Sequence, residues 1–224
     1  VVSNLKKIGQ RKPTGTKVSF RADPEIFPDI SFRHEVLVTR LRELAYLNEG
    51  VHIKIKDERT NKEEEFQYKK GLLAFVQHLN EGKTTVHRPI LISKEDPTSK
   101  LIAEIVLQYH TGYNETLLTF ANNINTVEGG THLTGFKSGI TRTINNVAQA
   151  NSLLKDFKDV FSGDDVREGL NAVVSIRIKD PQFEGQTKAK LGNSEIKGIV
   201  ESFVNQKLGD YFEANLNVAR AIIN

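Results

Sequence analysis

The stretch NAVVSIRIKDPQFEGQTKAKLGNSEIKGIVESFVNQKLGDYF, residues 171–212, changes its hydrophobic period midway, and that change carries the fold class. Ala172, Val174, Ile176 and Ile178 alternate, the pattern of a strand with one face in a core. From Ile196 the apolar positions are Ile199, Val200, Phe203, Val204, Leu208, Tyr211, Phe212 and Leu216, steps that predict a helix of about six turns. Asn193 or Ser194 can cap it. Between strand and helix lies FEGQTKAKLGNSE (183–195), a glycine-flanked loop holding Gln186 and Lys188. An amide donor and an ammonium ahead of a helix start suit an anion such as phosphate. Taken as a bare tripeptide, QTK reads far better as an ordinary surface loop.

Upstream, a second long helix is predicted from Thr131, whose hydroxyl can cap it. Leu133, Phe136, Ile140, Ile144 and Val147 share a narrow arc of that helix, with Lys137 beside the stripe and Arg142 opposite it. Leu101, Ala103, Ile105, Leu107 and Tyr109 alternate along a strand; HTGYN turns, and TLLTFA (116–121) reads as its antiparallel partner. The polar run NEGKTTVHRP (80–89) marks a domain boundary near residue 85. Before it come a short strand over Thr16–Phe20, an irregular connection through Pro24 and Pro28, and a helix over 34–48 with a Leu37, Leu41, Leu44, Ala45 stripe. A hairpin from VHIKIK into EEFQYK follows, then a short helix over 71–80. The whole reads as α+β in two unequal parts, 1–85 and 86–224.

The 224 residues suffice for a sizeable core, and 38% apolar with 26% charged residues is ordinary globular composition. A net charge of +3 and a pI near 8.9 are too mild to mark a nucleic-acid binder. No run approaches the ~20 apolar residues of a membrane span, so no membrane partner is expected. With no leader pattern and no cysteine, cytoplasmic localisation is the expectation. The chain has no methionine and begins Val-Val-Ser, the expectation for a piece of a longer protein.

Several chemical motifs fail on inspection. EGKTT (81–85) resembles the end of a phosphate-binding Walker loop, but the position of its first glycine is Gln77. The six histidines show no metal spacing, so no metal ligand is assigned, and no GxSxG elbow supports a nucleophilic serine. Asp164, Asp165 and Glu168 fit an acidic first helical turn better than an acid–base pair. EGGTH (128–132) carries a weak anion signal; a sharp strand-to-helix turn explains its two glycines more simply.

Together, TGTKVSF (14–20), RLRELAYLNEGVHIKIKDER (40–59), FANNINTVEGGTHLTGFKSGITRTINN (120–146) and GDDVREGLNAVVSIRIKDPQFEGQTKAKLGNSE (163–195) resemble the B subunits of DNA gyrase, ATP-dependent type IIA topoisomerases. The resemblance implies that residues 1–85 end a GHKL-type ATPase domain. It implies that 86–224 form a transducer domain with a ribosomal-protein-like left-handed βαβ crossover and a long C-terminal helix. Gln186 and Lys188 are implied to contact the γ-phosphate of ATP in catalysis, and Thr16 to help floor the adenine pocket. The general-base glutamate, the Mg²⁺-binding asparagine and the glycine-rich lid are implied to lie before Val1, so this chain alone is expected to be inactive and to hold no ATP tightly. The implied partners are a second B subunit, a gyrase A subunit and double-stranded DNA, with Arg142 and Lys137 as candidate DNA contacts. The sequence departs from the family at His110-Thr111, where relatives tend to carry Asn-Asp before the glycine; a less favourable turn is expected there, away from every proposed contact. The B subunit of topoisomerase IV is the nearest alternative; a mismatch-repair or chaperone-type GHKL clamp and a simple nucleic-acid-binding module are weaker ones.

Overall fold

The computed structural model describes residues 6, 9–10, 15–97, 100–153 and 160–223. At its centre runs β7 (Leu170–Arg177), buried at every residue except Arg177. A strand covered on both faces reads as a nearly continuous apolar run, and LNAVVSI is one. The sheet order is β3 (Ile90–Asp96), β4 (Leu101–Tyr109), β7, β5 (Thr116–Ala121) and β6 (Ile124–Asn125). β4 is antiparallel to both β3 and β7, whereas β5 runs parallel to β7.

Two expectations change here. TLLTFA does not pair with 101–109, because β7 is inserted between them and takes the antiparallel place. Alternation identifies a strand but not its neighbour. The strand at 90–96 leaves little trace in the sequence, since only Ile90 and Ile92 point inward before the charged SKED run begins.

Helices cover both faces. On one, α3 (Thr131–Ala150), α5 (Ser194–Ala214) and α6 (Leu216–Ile223) press Phe136, Ile140 and Phe203 onto Ile105, Val174 and Ile176. On the other, α1 (His34–Leu47) and α2 (Gly71–Leu79) bring Tyr46, Phe75 and Val76 against Val106, Phe120 and Val173. Each fully buried side chain of this size stabilises the fold by about 1.5–3 kcal/mol. The long C-terminal helix is broken at Asn215, so Leu216 opens α6 instead of extending α5.

A buried amide chain ties α2 to the sheet. Asn80 Nδ2 donates to Gln108 Oε1 at 3.0 Å, Asn171 Nδ2 donates to Asn80 Oδ1 at 2.8 Å, and Gln108 Nε2 donates to the His87 carbonyl at 2.6 Å. β1 (Ile53–Asp57) and β2 (Lys62–Phe66) form the anticipated hairpin beside α1. On α1 the buried residues are His34, Val38, Ala45, Tyr46 and Leu47, so that of the predicted Leu37, Leu41, Leu44, Ala45 stripe only Ala45 is buried. The helix is held from two directions, by the hairpin and by α2, and Leu37 faces outward.

Thr16–Phe20 forms no strand. Val18 and Phe20 are 78% and 77% exposed, and no strand pairs with them among the described residues. α4 (Gly163–Arg167) has the acidic first turn that the sequence suggested. Ser162 and Asp165 exchange capping hydrogen bonds of 3.3 and 2.8 Å, which hold the Asp165 carboxyl below the usual carboxylate range. Among the described residues, no helix is long and apolar enough to cross a membrane.

Candidate functional site

β7 leads through a short connection into β8 (Phe183–Glu184), which returns antiparallel as β9 (Lys190–Leu191). Gln186, Thr187 and Lys188 form the turn between these strands. Gly185 (φ 75°) and Lys188 (φ 56°) both take left-handed backbone angles, uncommon for a residue with a side chain. The Lys188 N–H donates to the Gly185 carbonyl at 3.3 Å and closes the turn. At the hairpin base, Asn193 Oδ1 accepts from the Gln182 N–H at 2.7 Å, and its Nδ2 donates to the Asp180 carbonyl at 3.3 Å. Asn193 therefore precedes α5 without capping it by its side chain, since that side chain is committed to the hairpin.

Gln186 and Lys188 are both exposed. Lys188 Nζ lies 5.9 Å from the Phe183 ring centre, within cation–π range. Neighbouring Lys190 is paired with Glu184 at 3.1 Å, whereas no carboxylate pairs with Lys188 among the described residues. An unpaired ammonium beside an amide donor, on a turn fixed at its base, can receive an anionic oxygen without first breaking an ion pair.

Behind the turn stands the start of α3. Gly129 (φ 73°) and Gly130 (φ 131°) bring the chain against β9: the Glu128 N–H donates to the Ala189 carbonyl at 2.9 Å, and the Leu191 N–H to the Gly129 carbonyl at 3.1 Å. Gly130 is the N-cap, with no side-chain capping bond, and the Thr131 hydroxyl is buried without a partner among the described residues. The predicted threonine cap is therefore absent, because a backbone contact occupies the helix start. The glycine pair serves this contact as a strand-to-helix turn. His132, fully buried, places Nε2 3.1 Å from the Thr126 hydroxyl; burial lowers its pKa to about 4.

The other named residues lie apart from this turn. Thr16 is exposed in the irregular N-terminal segment, with no hydrogen bond to the hairpin among the described residues. Arg142 on α3 is paired with Glu201 at 2.7 Å, and Lys137 with Glu115 at 3.7 Å. Both candidate DNA contacts are thus engaged with carboxylates. No group of three or more His, Asp or Glu among the described residues could hold a metal ion. The contact between Gly130 and β9 escaped the sequence reading; the one available clue was the glycine pair, which a local pattern could not connect to residues 189–191.

The family model for DNA gyrase B matches residues 71–224. The chain is 48% identical over 219 residues to the DNA gyrase B subunit of Myxococcus xanthus, covering 97% of this chain and 27% of that protein. The 43K ATPase domain of Thermus thermophilus gyrase B, solved with an aminocoumarin, superposes with a TM-score of 0.75 at 39% identity, over 89% of this chain and 54% of that one. The topoisomerase IV ATP-binding domain of Francisella tularensis, solved with a small-molecule inhibitor, gives 0.72 at 28% identity, over 90% and 54%. This mixed α/β chain, spanning about a quarter of the length of the Myxococcus protein, belongs to the DNA gyrase B family.

Proposed function

We propose that the Gln186–Lys188 turn reads the terminal phosphate of ATP within the B subunit of a type IIA topoisomerase. The observation that carries this reading is an exposed ammonium without a carboxylate partner among the described residues, beside an exposed amide, on a hairpin anchored at its base. Lys188 supplies a point charge and Gln186 a neutral donor. Both contacts exist with a nucleoside triphosphate and vanish once the γ-phosphate has left. The Lys188 ammonium attracts a phosphate oxygen and repels a cation such as Mg²⁺. In this reading Mg²⁺, the general base and the adenine pocket, apart from Thr16, belong to polypeptide outside this chain. The chain by itself turns over no ATP.

On the same reading residues 1–85 end the GHKL-type ATPase domain and 86–224 act as transducer. The parallel connection from β5 through α3 and α4 to β7 corresponds to the family's left-handed crossover. ATP then stabilises the arrangement in which both parts touch it, to the extent of its differential affinity. A charge-assisted hydrogen bond contributes ~1.5–3 kcal/mol, enough to bias a balanced domain equilibrium by one to two powers of ten. That bias would drive pairing with a second B subunit and, with a gyrase A subunit, passage of double-stranded DNA. Gyrase is preferred over topoisomerase IV because the gyrase domain superposes at 39% identity against 28%.

The test is Lys188→Ala in a full-length protein carrying this chain. Hydrolysis should fall by about tenfold or more, in line with the loss of one charge-assisted contact, with ADP affinity unchanged. A wild-type rate would overturn the assignment.

A further inference from the structure

We infer that Gly130 is a positioning residue for the Gln186–Lys188 turn, holding it at a fixed place over the start of α3; the inference rests on the phosphate-reading role proposed above. The β8–β9 hairpin pairs over only two residues per strand, too few to orient its own turn rigidly. The additional constraint is Gly130, which forms a parallel bridge to Leu191. Two backbone hydrogen bonds flank the bridge, from Glu128 to Ala189 and from Leu191 to Gly129. Ala189 directly follows Lys188, so the clasp begins one residue from the proposed phosphate contact. Leu191, fully buried in the core beneath α3 and α5, anchors the other end.

Only glycine permits this approach. A Cβ on residue 130 would lie 2.3 Å from the Leu191 carbonyl oxygen and 2.5 Å from its nitrogen, both backbone atoms that cannot rotate away. The φ of 131° is also one that other residues rarely adopt. Gly130→Ala therefore has to push 189–191 away from α3, and the turn moves with them. A reacting group misplaced by about 1 Å can cost a hundredfold in rate. Because the turn meets only the terminal phosphate, the loss falls on kcat for ATP and spares the affinity for ADP.

The comparison variant is Gly135→Ala, in the same helix, where the atoms nearest the added Cβ all belong to α5, the Lys197 carbonyl oxygen at 2.5 Å and Val200 Cβ at 3.1 Å. In the isolated wild-type chain, amide exchange at Glu128 and Leu191 should be as slow as within α3. Fast exchange there, as in an exposed turn, overturns the clasp without recourse to any variant. Gly130→Ala should accelerate exchange at Glu128, Leu191 and Lys188 at least tenfold relative to Gly135→Ala, and unchanged exchange overturns the inference. In the full-length protein, Gly130→Ala should lower kcat at least tenfold with ADP affinity unchanged, whereas Gly135→Ala should keep kcat within about threefold. Equal losses in both variants reduce Gly130 to a stability role and overturn the inference. If exchange responds as expected but Lys188→Ala leaves hydrolysis intact, the phosphate-reading role fails, and with it the positioning role, while the clasp itself stands.

Discussion

His132 shows how a single side chain can make this fold sensitive to acid. It is fully buried, its Nδ1 has no partner among the described residues, and burial brings its pKa down to about 4. An unfolded histidine titrates near 6.5, so between about pH 6.5 and 4 the unfolded chain binds a proton that the folded one refuses. Stability is therefore unaffected by this group above pH 6.5 and declines as the pH falls through that window. Between pH 7.5 and 5.0 the loss should be about 2 kcal/mol. Urea denaturation at the two pH values should show that extra loss in the wild type and not in His132→Gln. The role of His110 is also set locally. Its Nδ1 accepts the Gly112 N–H at 3.0 Å, the bond that an Asn or Asp side chain makes in such a turn, so the turn expected to be less favourable is closed all the same. By contrast, the functional reading of Gln186 and Lys188 came from resemblance. Nothing in three polar residues specifies which anion they meet.

Among the elements, the pairing of α3 with α5 depends on two glycines one helical turn apart. A Cβ on Gly135 would lie 2.5 Å from the Lys197 carbonyl, and one on Gly139 2.8 Å from Val204 Cβ. Gly135→Ala should destabilise the chain by about 1–3 kcal/mol through overpacking. Gly198→Ala, on the open face of α5 where nothing lies within 4 Å, should stabilise it by up to about 1 kcal/mol through helix propensity. Opposite shifts in denaturation midpoint check the pair, and shifts of the same sign would contradict this packing. The long helix α3, the start and body of α5 and the β1–β2 hairpin were legible because a buried face imprints its period on the chain, and the central strand because its apolar run is nearly unbroken. What escaped depends on partners. The neighbour of β5, the short run of β3, the two-sided burial of α1 and the interruption at Asn215 are decided by elements distant in sequence.

Across the whole molecule, exposure is uneven. Val18, Phe20, Ile26, Phe27 and Phe32 form an apolar stretch left largely in solvent, a composition that usually marks a contact surface. Replacing Val18 and Phe20 together by serine should change stability by no more than about 0.5 kcal/mol while reducing the binding of a hydrophobic dye. A larger destabilisation would show that these side chains are packed in solution. The amide chain through Asn80, Gln108 and Asn171 lies at the opposite extreme, sealed between α2 and the sheet. Each of its members depends on the next, and an amide stranded by partial separation costs about 1–3 kcal/mol. Intermediate dockings are thereby penalised, so α2 and the sheet either travel as one block or part completely.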